Sequence, residues 1–514
     1  MLTKLTIRRF KRFDDVEIEL GSPVVFVGPN DSGKTTALQA LALWEVGLRR
    51  WLEKRGRGRK APEKRFGVTI NRRDLIAVPV PDAIFLWRNL SVRRAVQDEA
   101  GKRRTENIRV DIIVDGVTGD RVWTCGLEFD YANEESLYCR PLRLSEEPGA
   151  QRMEIPEQAR KVKIAFLPPM SGLAANETRL DEGAINVRLG EGRTAEVLRN
   201  LCYGVLNSGS EPWQRLVERI QSLFGARLHE PVYVAERGEI TMSYEDPSSA
   251  KLLDLSSSGR GMQQTLLLLA HLALNPGSVL LLDEPDAHLE ILRQRQIYQV
   301  LTEAAREQGS QVIAASHSEV VLNEAADRDV VVAFVGTPHR IDDRGSQVLK
   351  ALKEIGFEDY YQAELTGWVL YLEGSTDLAI LRSFAEALAH PAADALARPF
   401  VKYIMNQPKK ARDHFFGLRE AKTDLAGFAL FDRVDAGLQN HEGLQERMWS
   451  RREIENYLCQ RETLLAWADA QAGPGTLFAD RCHRAMEAAI GEIEAALAAL
   501  DRASPWSPDL KVSE

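Results

Sequence analysis

The segment Gly28-Pro29-Asn30-Asp31-Ser32-Gly33-Lys34-Thr35-Thr36 constrains this chain more than any other. It follows the apolar run Val24-Val25-Phe26-Val27 and precedes Ala37-Leu38-Gln39-Ala40-Leu41-Ala42-Leu43, which reads as a helix. A strand, a turn of the form G-x-x-x-x-G-K-[ST] and a helix together make a phosphate cradle. The glycines let backbone N–H groups turn inward, and the positive end of the helix adds to the attraction. Lys34 is expected to reach the β- and γ-phosphates of ATP, and the Thr35 hydroxyl to hold Mg²⁺. A chance glycine-rich turn is the competing reading, and it does not explain the flanking strand and helix.

A second acidic element completes the expectation. Val279-Leu280-Leu281-Leu282 runs into Asp283-Glu284-Pro285. Adjacent carboxylates at a strand tip suit two tasks: Asp283 binding Mg²⁺, Glu284 orienting and deprotonating the attacking water. Further buried-type strands follow at 312–316 and 330–335, with helices between them. Continuous apolar strands alternating with helices predict an α/β fold with a parallel sheet covered on both faces.

The 514 residues suffice for two to four domains. Hydrophobic residues make up 44% and charged residues 27%, with a formal net charge of -9. That balance gives no global sign of a nucleic-acid binder. A local basic stretch from Arg49 to Arg73, dense around Arg55, Arg57, Arg59 and Lys60, suits a solvated loop or a DNA-contacting surface equally. The five cysteines are scattered, without C-x-x-C or zinc spacing, which suits free thiols in a reducing compartment. The first residues are too charged for a signal sequence, and the longest apolar stretch, Leu266 to Leu274, contains His271. A cytoplasmic protein with no membrane partner is the expectation.

Upstream of Asp283 lies Leu255-Ser256-Ser257-Ser258-Gly259-Arg260-Gly261, opening an apolar helix. It resembles the signature segment of ABC-type ATPases, in the divergent form of the soluble branch that includes the RecF/SMC-like and OLD-family proteins. The resemblance implies that Ser258 and Gly259 contact the γ-phosphate held by a second copy, so that ATP bridges a homodimer or a higher oligomer. It also implies that His317, in Ala315-Ser316-His317-Ser318, is the switch histidine that senses the γ-phosphate. The core Ser258-Gly259-Arg260-Gly261 departs from the transporter form. No glutamine loop can be placed, and Phe166 to Leu173 resembles a fixed element of such ATPases without a physical role.

A second α/β pattern begins near residue 366. Tyr371-Leu372-Glu373-Gly374-Ser375-Thr376-Asp377 resembles the first TOPRIM motif, and Phe431-Asp432-Arg433-Val434-Asp435 stands in the place of the second. Strand-end carboxylates converging at one sheet edge form an oxygen-rich pocket for Mg²⁺ or Mn²⁺, and a two-metal pocket can cleave phosphodiesters. The family spaces its second-motif acids as Asp-x-Asp, whereas here the spacing is Asp432-x-x-Asp435. Arg451 to Leu458 resembles the third acidic element of OLD-type nucleases, with Glu453 and Glu455 as its ligands; a charged helix face is the alternative. Such nucleases use a lysine or arginine further on, for which Lys511 is the candidate. With the sequence ending at Glu514, a truncated second domain is expected.

The expected organisation is therefore an ABC-type ATPase over 1–345, with an inserted α+β segment at about 45–190, a junction at 346–365, and a Rossmann-like TOPRIM domain over 366–514. An ABC-type head fused to TOPRIM is the OLD-family layout, which implies an ATP-regulated, metal-dependent nuclease in anti-phage defence, acting on nucleic acid and sometimes with a separate effector protein. Two other readings stay open: a sensor or scaffold whose TOPRIM module does not cleave, and a DNA-repair clamp.

Overall fold

The computed structural model describes residues 1–513 apart from 56–66, 98–102, 146–149, 175, 247–250, 327, 342–354, 435, 436, 440 and 473–478. Asp435, the densest part of the basic stretch and residues 346–354 of the expected junction thus lie outside the described residues. The chain divides into two units, Met1–Leu349 and Lys350–Glu514.

Unit 1 opens with the hairpin Leu2–Phe10 (β1) and Phe13–Glu19 (β2), followed by Val24–Val27 (β3) and the helix Lys34–Arg55 (α1). After Val68–Asn71 (β4) and a hairpin of Arg93–Gln97 (β5) with Arg103–Asn107 (β6) come three long strands: Val110–Thr118 (β7), Arg121–Asn133 (β8) and Ser136–Pro141 (β9). These join the first hairpin in an antiparallel sheet of order β2-β1-β7-β8-β9-β4. Ile7 pairs with Ile112 across the β1–β7 seam. Strands of the 45–190 segment thus complete the sheet that β1 and β2 begin. These alternating strands bury one face against α1, as half-buried antiparallel strands must, and hydrogen-bond directly to the N-terminal strand.

The second sheet holds the nucleotide loop. It comprises Ile164–Leu167 (β10), Val279–Asp283 (β16), Gln311–Ser316 (β17), β3, Val330–Ala333 (β18) and His339–Arg340 (β19), in that order. All neighbours are parallel except β18 and β19. Helix α1 lies between the two sheets, which is why it is apolar nearly all round rather than along one stripe. Leu38, Leu41 and Trp44 share a core with Ile112, Leu127 and Phe129 of one sheet and Phe26, Leu281 and Ile313 of the other. The Trp44 indole N–H is satisfied by Cys125 O at 2.9 Å.

The far face of the parallel sheet carries helices Glu182–Gly190 (α2), Leu198–Ser208 (α3), Ser210–Phe224 (α4), Arg260–Leu274 (α5), Ile291–Glu307 (α6) and Glu319–Ala325 (α7). Short strands at 227–228 (β11), 232–234 (β12), 239–241 (β13), 243–245 (β14) and 252–254 (β15) link α4 to α5. Leu266 and Leu269 of α5 pack with Leu280, Leu282 and Val312 in a second core. Unit 1 thus has an α/β fold.

Unit 2 contains a parallel sheet of Trp368–Leu372 (β20), Val401–Tyr403 (β21), Ala426–Phe431 (β22) and Leu444–Met448 (β23), ordered β21-β20-β22-β23. Its helices are Phe357–Thr366 (α8), Ser375–Ala387 (α9), Ala392–Ala397 (α10), Pro408–Ala421 (α11), Arg461–Ala472 (α12) and Ala479–Ala499 (α13). The chain leaves β20 toward β21 and then crosses to β22 on the opposite side. In open α/β sheets ligands bind where connections diverge in this way, outside the carboxyl ends of the strands. Among the described residues no helix is long and apolar enough to cross a membrane.

Candidate functional site

The parallel register of unit 1 brings the loop after β3 beside the acids that end β16. The Thr35 hydroxyl donates to Asp283 at 3.0 Å (Oδ1) and 2.9 Å (Oδ2). The Lys34 ammonium is tucked into its own loop, donating to Gly28 O at 2.7 Å and Pro29 O at 2.8 Å. Gly28 (φ 156°) and Gly33 (φ 107°) hold positive angles that L side chains rarely adopt, and Asp31 is also left-handed (φ 59°). A Cβ at Gly33 would strike Phe13 and Arg12 of the first hairpin. Thr36 and Thr35 open α1, and Asn30 and Pro29 form the tip of the turn.

The electrostatics match a strongly charged guest. Burial pushes the Asp283 carboxyl up to about 6, despite the Thr35 hydrogen bond. Burial lowers the Lys34 ammonium, and the negative charges of Glu284, Asp283, Asp286 and Asp31 oppose that shift. The buried Ser32 hydroxyl and Asp286 Oδ1 have no hydrogen-bond partner within the protein among the described residues. A triphosphate and its Mg²⁺ fit this arrangement. The hydroxyl and carboxylate of Thr35 and Asp283 are hard oxygen donors, Lys34 supplies a cation, and the Ser32 hydroxyl lies against the loop that would wrap the phosphates.

Glu284 is left-handed (φ 49°) although it is not glycine. Its amide donates to Ala315 O at 2.8 Å, which fixes the turn against β17. His317 Nδ1 stands 3.4 Å from Glu284 Oε1, its imidazole half exposed. Burial raises the carboxyl of Asp286, which the Ser316 hydroxyl hydrogen-bonds. Sequence reasoning passed over both Asp286 and Ser316; their places within the acidic turn and at the end of β17 were the available signal.

Ser258 and Gly259 lie at the start of α5. Ser258 Oγ donates to Leu255 O at 2.7 Å, and Gln263 Nε2 donates to Ser258 O at 2.9 Å. Gly259 has an ordinary extended conformation (φ -64°, ψ 147°), and a Cβ there would meet nothing within 4 Å. Neither backbone geometry nor packing within this chain requires glycine at that position.

In unit 2, Glu373 follows β20 and Asp432 follows β22, and their side chains meet. Asn406 lies between them. Its amide nitrogen donates to Glu373 Oε2 and to Asp432 Oδ2 (3.1 Å), while its Oδ1 accepts from the Asp432 amide at 2.9 Å. Met405 and Asn406 are both left-handed (φ 49° and 54°), a strained pair at the end of β21. Burial first, then the hydrogen bond and charge of Glu373, push the Asp432 carboxyl up to about 7.

The other expected acids are placed differently. Asp377 turns back to cap α9, accepting from the amides of Glu373 (2.9 Å) and Gly374 (3.2 Å). Glu453 is buried and its carboxylate accepts from Ser513 N (2.6 Å) and Ser513 Oγ (2.8 Å). It starts a single 3₁₀ turn, Ile454–Tyr457, rather than a helix. Burial raises the Glu455 carboxyl, and the charges of Glu453, Asp377 and Glu373 add to the shift. Among the described residues no three His, Cys, Asp or Glu side chains stand close enough together to hold a metal ion. The donors present, Glu373 and Asp432, are nevertheless of the type a hard divalent cation takes.

Two protein-family models match the first unit. One, described as "AAA domain, putative AbiEii toxin, Type IV TA system", matches residues 151–323; another, described as "AAA domain", matches residues 4–118. No curated protein matches the chain. The SMC head domain from Thermotoga maritima is similar at 14% identity, with a TM-score of 0.36, over 66% of this chain and 98% of that one. The Smc head domain with an extended coiled coil, bound to the C-terminal domain of ScpA and derived from Pyrococcus furiosus, is similar at 14% identity and a TM-score of 0.37, over 69% and 99%. The first unit is an ATPase, similar to AAA domains.

Proposed function

We propose that ATP engages two copies of unit 1 head to head and that this engagement controls a metal-dependent nuclease centred on Glu373 and Asp432. The observation that carries the reading is that parallel strands end in carboxylates in both units, β16 in Asp283 and Glu284 in one, β20 and β22 beside Glu373 and Asp432 in the other. In the first unit Lys34 binds the β- and γ-phosphates and Thr35 and Asp283 hold Mg²⁺, which supplies charge neutralisation on the phosphates when bound. Glu284, held by Ala315 and flanked by His317, accepts the proton of the attacking water. Ser258 and Gly259 act on the nucleotide of the second copy.

In the second unit, Glu373 and Asp432 would hold Mg²⁺ or Mn²⁺, with Asp377, Asp435, Glu453 and Glu455 as further candidate acids. A divalent cation there would polarise a phosphodiester. One matching family description names a putative toxin of a Type IV TA system, which supports a toxin- or defence-related setting; anti-phage defence and a nucleic-acid substrate are part of the proposal. The test is cleavage of plasmid and tRNA with Mg²⁺ or Mn²⁺ by wild type and Glu373→Ala. Metal-dependent cutting that is lost in the variant supports the reading; cutting undiminished in the variant overturns it.

One observation favours a second reading, an ATP-driven sensor that binds and releases an effector protein without cleaving. Asp377 and Glu453 are already committed to backbone and Ser513 partners, which leaves two facing carboxylates where cleavage by two metals needs more. Co-purification of a stoichiometric partner, with no cleavage in any metal, would favour it. A DNA-repair clamp is the third reading and predicts ATP-dependent DNA binding with a steep salt dependence.

A further inference from the structure

A buried guanidinium lies behind the Ser258–Gly259 turn. Arg199, the second residue of α3, is 1% exposed. A buried charge persists only where it is paired and hydrogen-bonded. Arg199 donates to two places: Ala174 O through NH1 at 3.0 Å, and Asp254 Oδ1 through NH2 at 3.0 Å. The third neighbour, Glu177, is 3.9 Å away. Its carboxylate is already used to cap α3, accepting from the amides of Arg199 (2.9 Å) and Asn200 (2.6 Å) and from Asn200 Nδ2 (2.8 Å).

The two places that Arg199 joins are the informative part. Asp254 Oδ1 also accepts from Ser256 N (2.8 Å) and Ser256 Oγ (2.6 Å), and so starts the 3₁₀ turn Leu255–Ser257 that delivers Ser258 and Gly259 to the head of α5. Ala174 belongs to the linker that leaves β10. Leu167, the last residue of β10, pairs with Leu282, one residue before Asp283. The linker therefore starts beside the end of the sheet that carries Asp283, and includes all but the first two residues of the Phe166–Leu173 segment that the sequence left without a role. Ser171 is held further along it, its amide donating to the buried Thr194 hydroxyl at 2.8 Å.

We propose that Arg199 is a positioning residue for ATP hydrolysis, locking the Ser258–Gly259 turn to the linker that leaves the sheet beside Asp283. A displacement of the linker when nucleotide binds is passed through one guanidinium to the turn. The turn is then presented correctly only when its own copy is loaded. This rests on the reading that Ser258 and Gly259 act on a second copy's nucleotide. Arg199 touches no nucleotide, so its loss leaves binding intact and impairs turnover.

The experiment uses the full chain with Arg199→Lys, Asp254→Ala, the double variant and Gly259→Glu. Affinity for a fluorescent ATP analogue, steady-state kcat and melting temperature are measured for each. Lysine keeps the charge but cannot span both partners; the Asp254 side chain is 47% exposed, so its truncation spares the core should Arg199→Lys fail to fold. The expected result is nucleotide affinity within about twofold of wild type, kcat lower by about tenfold, and a double variant no worse than the worse single one, as for residues acting through one link. Wild-type kcat in Asp254→Ala, affinity falling in step with kcat, or losses that multiply in the double variant would each overturn the proposal. If Gly259→Glu abolishes turnover while Asp254→Ala does not, only the Arg199 link falls; if Gly259→Glu also turns over normally, the reading beneath it falls as well.

Discussion

His317 Nδ1 lies 3.4 Å from Glu284 Oε1, and Glu284 is left-handed there, its amide N–H donating a hydrogen bond to Ala315 O. A carboxylate fixed at a strand end beside an imidazole is placed to take a proton, and contributes nothing to holding the phosphates that Lys34 and Thr35 would contact. Glu284→Gln is expected to bind ATP as wild type does and to lose kcat by about a hundredfold or more, the scale of a lost general base. ATP-loaded dimers should then accumulate. Sedimentation velocity with and without ATP reads this out, and an ATP-independent profile in the variant contradicts head engagement.

Gly259 is free of local demands, with ordinary torsions and open space around its Cβ position. Gly259→Glu should therefore melt within about 1 °C of wild type, as surface changes of at most about 0.5 kcal/mol do in a unit of this size. The added side chain would stand where a second copy's γ-phosphate is expected. Loss of ATP-dependent dimer with unchanged nucleotide affinity is the expected pattern; a normal dimer rules out a role for this turn in trans.

The raised carboxyl of Asp283 sets a pH dependence. Its metal-free value of about 6 lies above the ordinary 3.8. The folded form thus keeps a proton that the unfolded chain has released, and this contribution to stability is lost as pH rises through about 6. Mg²⁺ requires the carboxylate, so Mg²⁺-dependent nucleotide affinity should fall as pH drops below about 6, by up to tenfold per unit. Titration calorimetry from pH 5 to 8 in wild type and Asp283→Asn checks it. A pH response that survives in Asp283→Asn assigns it to another group.

Asn406 holds both carboxyl groups of the second site, donating to Glu373 and Asp432 and accepting from the Asp432 amide. Asn406→Ala should weaken Mn²⁺ binding by about tenfold or more, the usual cost of losing a group that orients ligands. Electron paramagnetic resonance of free Mn²⁺ measures this without any nucleic acid. Equal affinity in wild type and variant shows that the amide does not organise a cation site.

Local pattern made the nucleotide loop, the acidic strand end and the parallel strands legible, because each depends on residues adjacent in sequence. A wholly apolar strand running into two acids has few other readings. The pairing of the 45–190 segment with the N-terminal strand was not legible, for the same reason. The segment's strands differ in composition from the buried parallel ones because they are covered on one face only, and nothing local says that β7 pairs with β1 across a hundred residues.

The sequence by itself determined that Lys34 and Thr35 open the helix after β3, that Asp283 and Glu284 stand at a strand end, and that Glu373 and Asp432 do likewise, since apolar runs and their polar stops are written consecutively. Tertiary structure alone decided which of those groups meet. Asn406 reaches Glu373 and Asp432 because β21 lies beside β20 and the chain turns left-handed at its end. Arg199 reaches Asp254 across 55 residues. Asp377 and Glu453 found other partners in the folded chain. Hydrogen bonds between distant residues depend on sheet order and loop closure, and neither is encoded in the spacing of the residues they join.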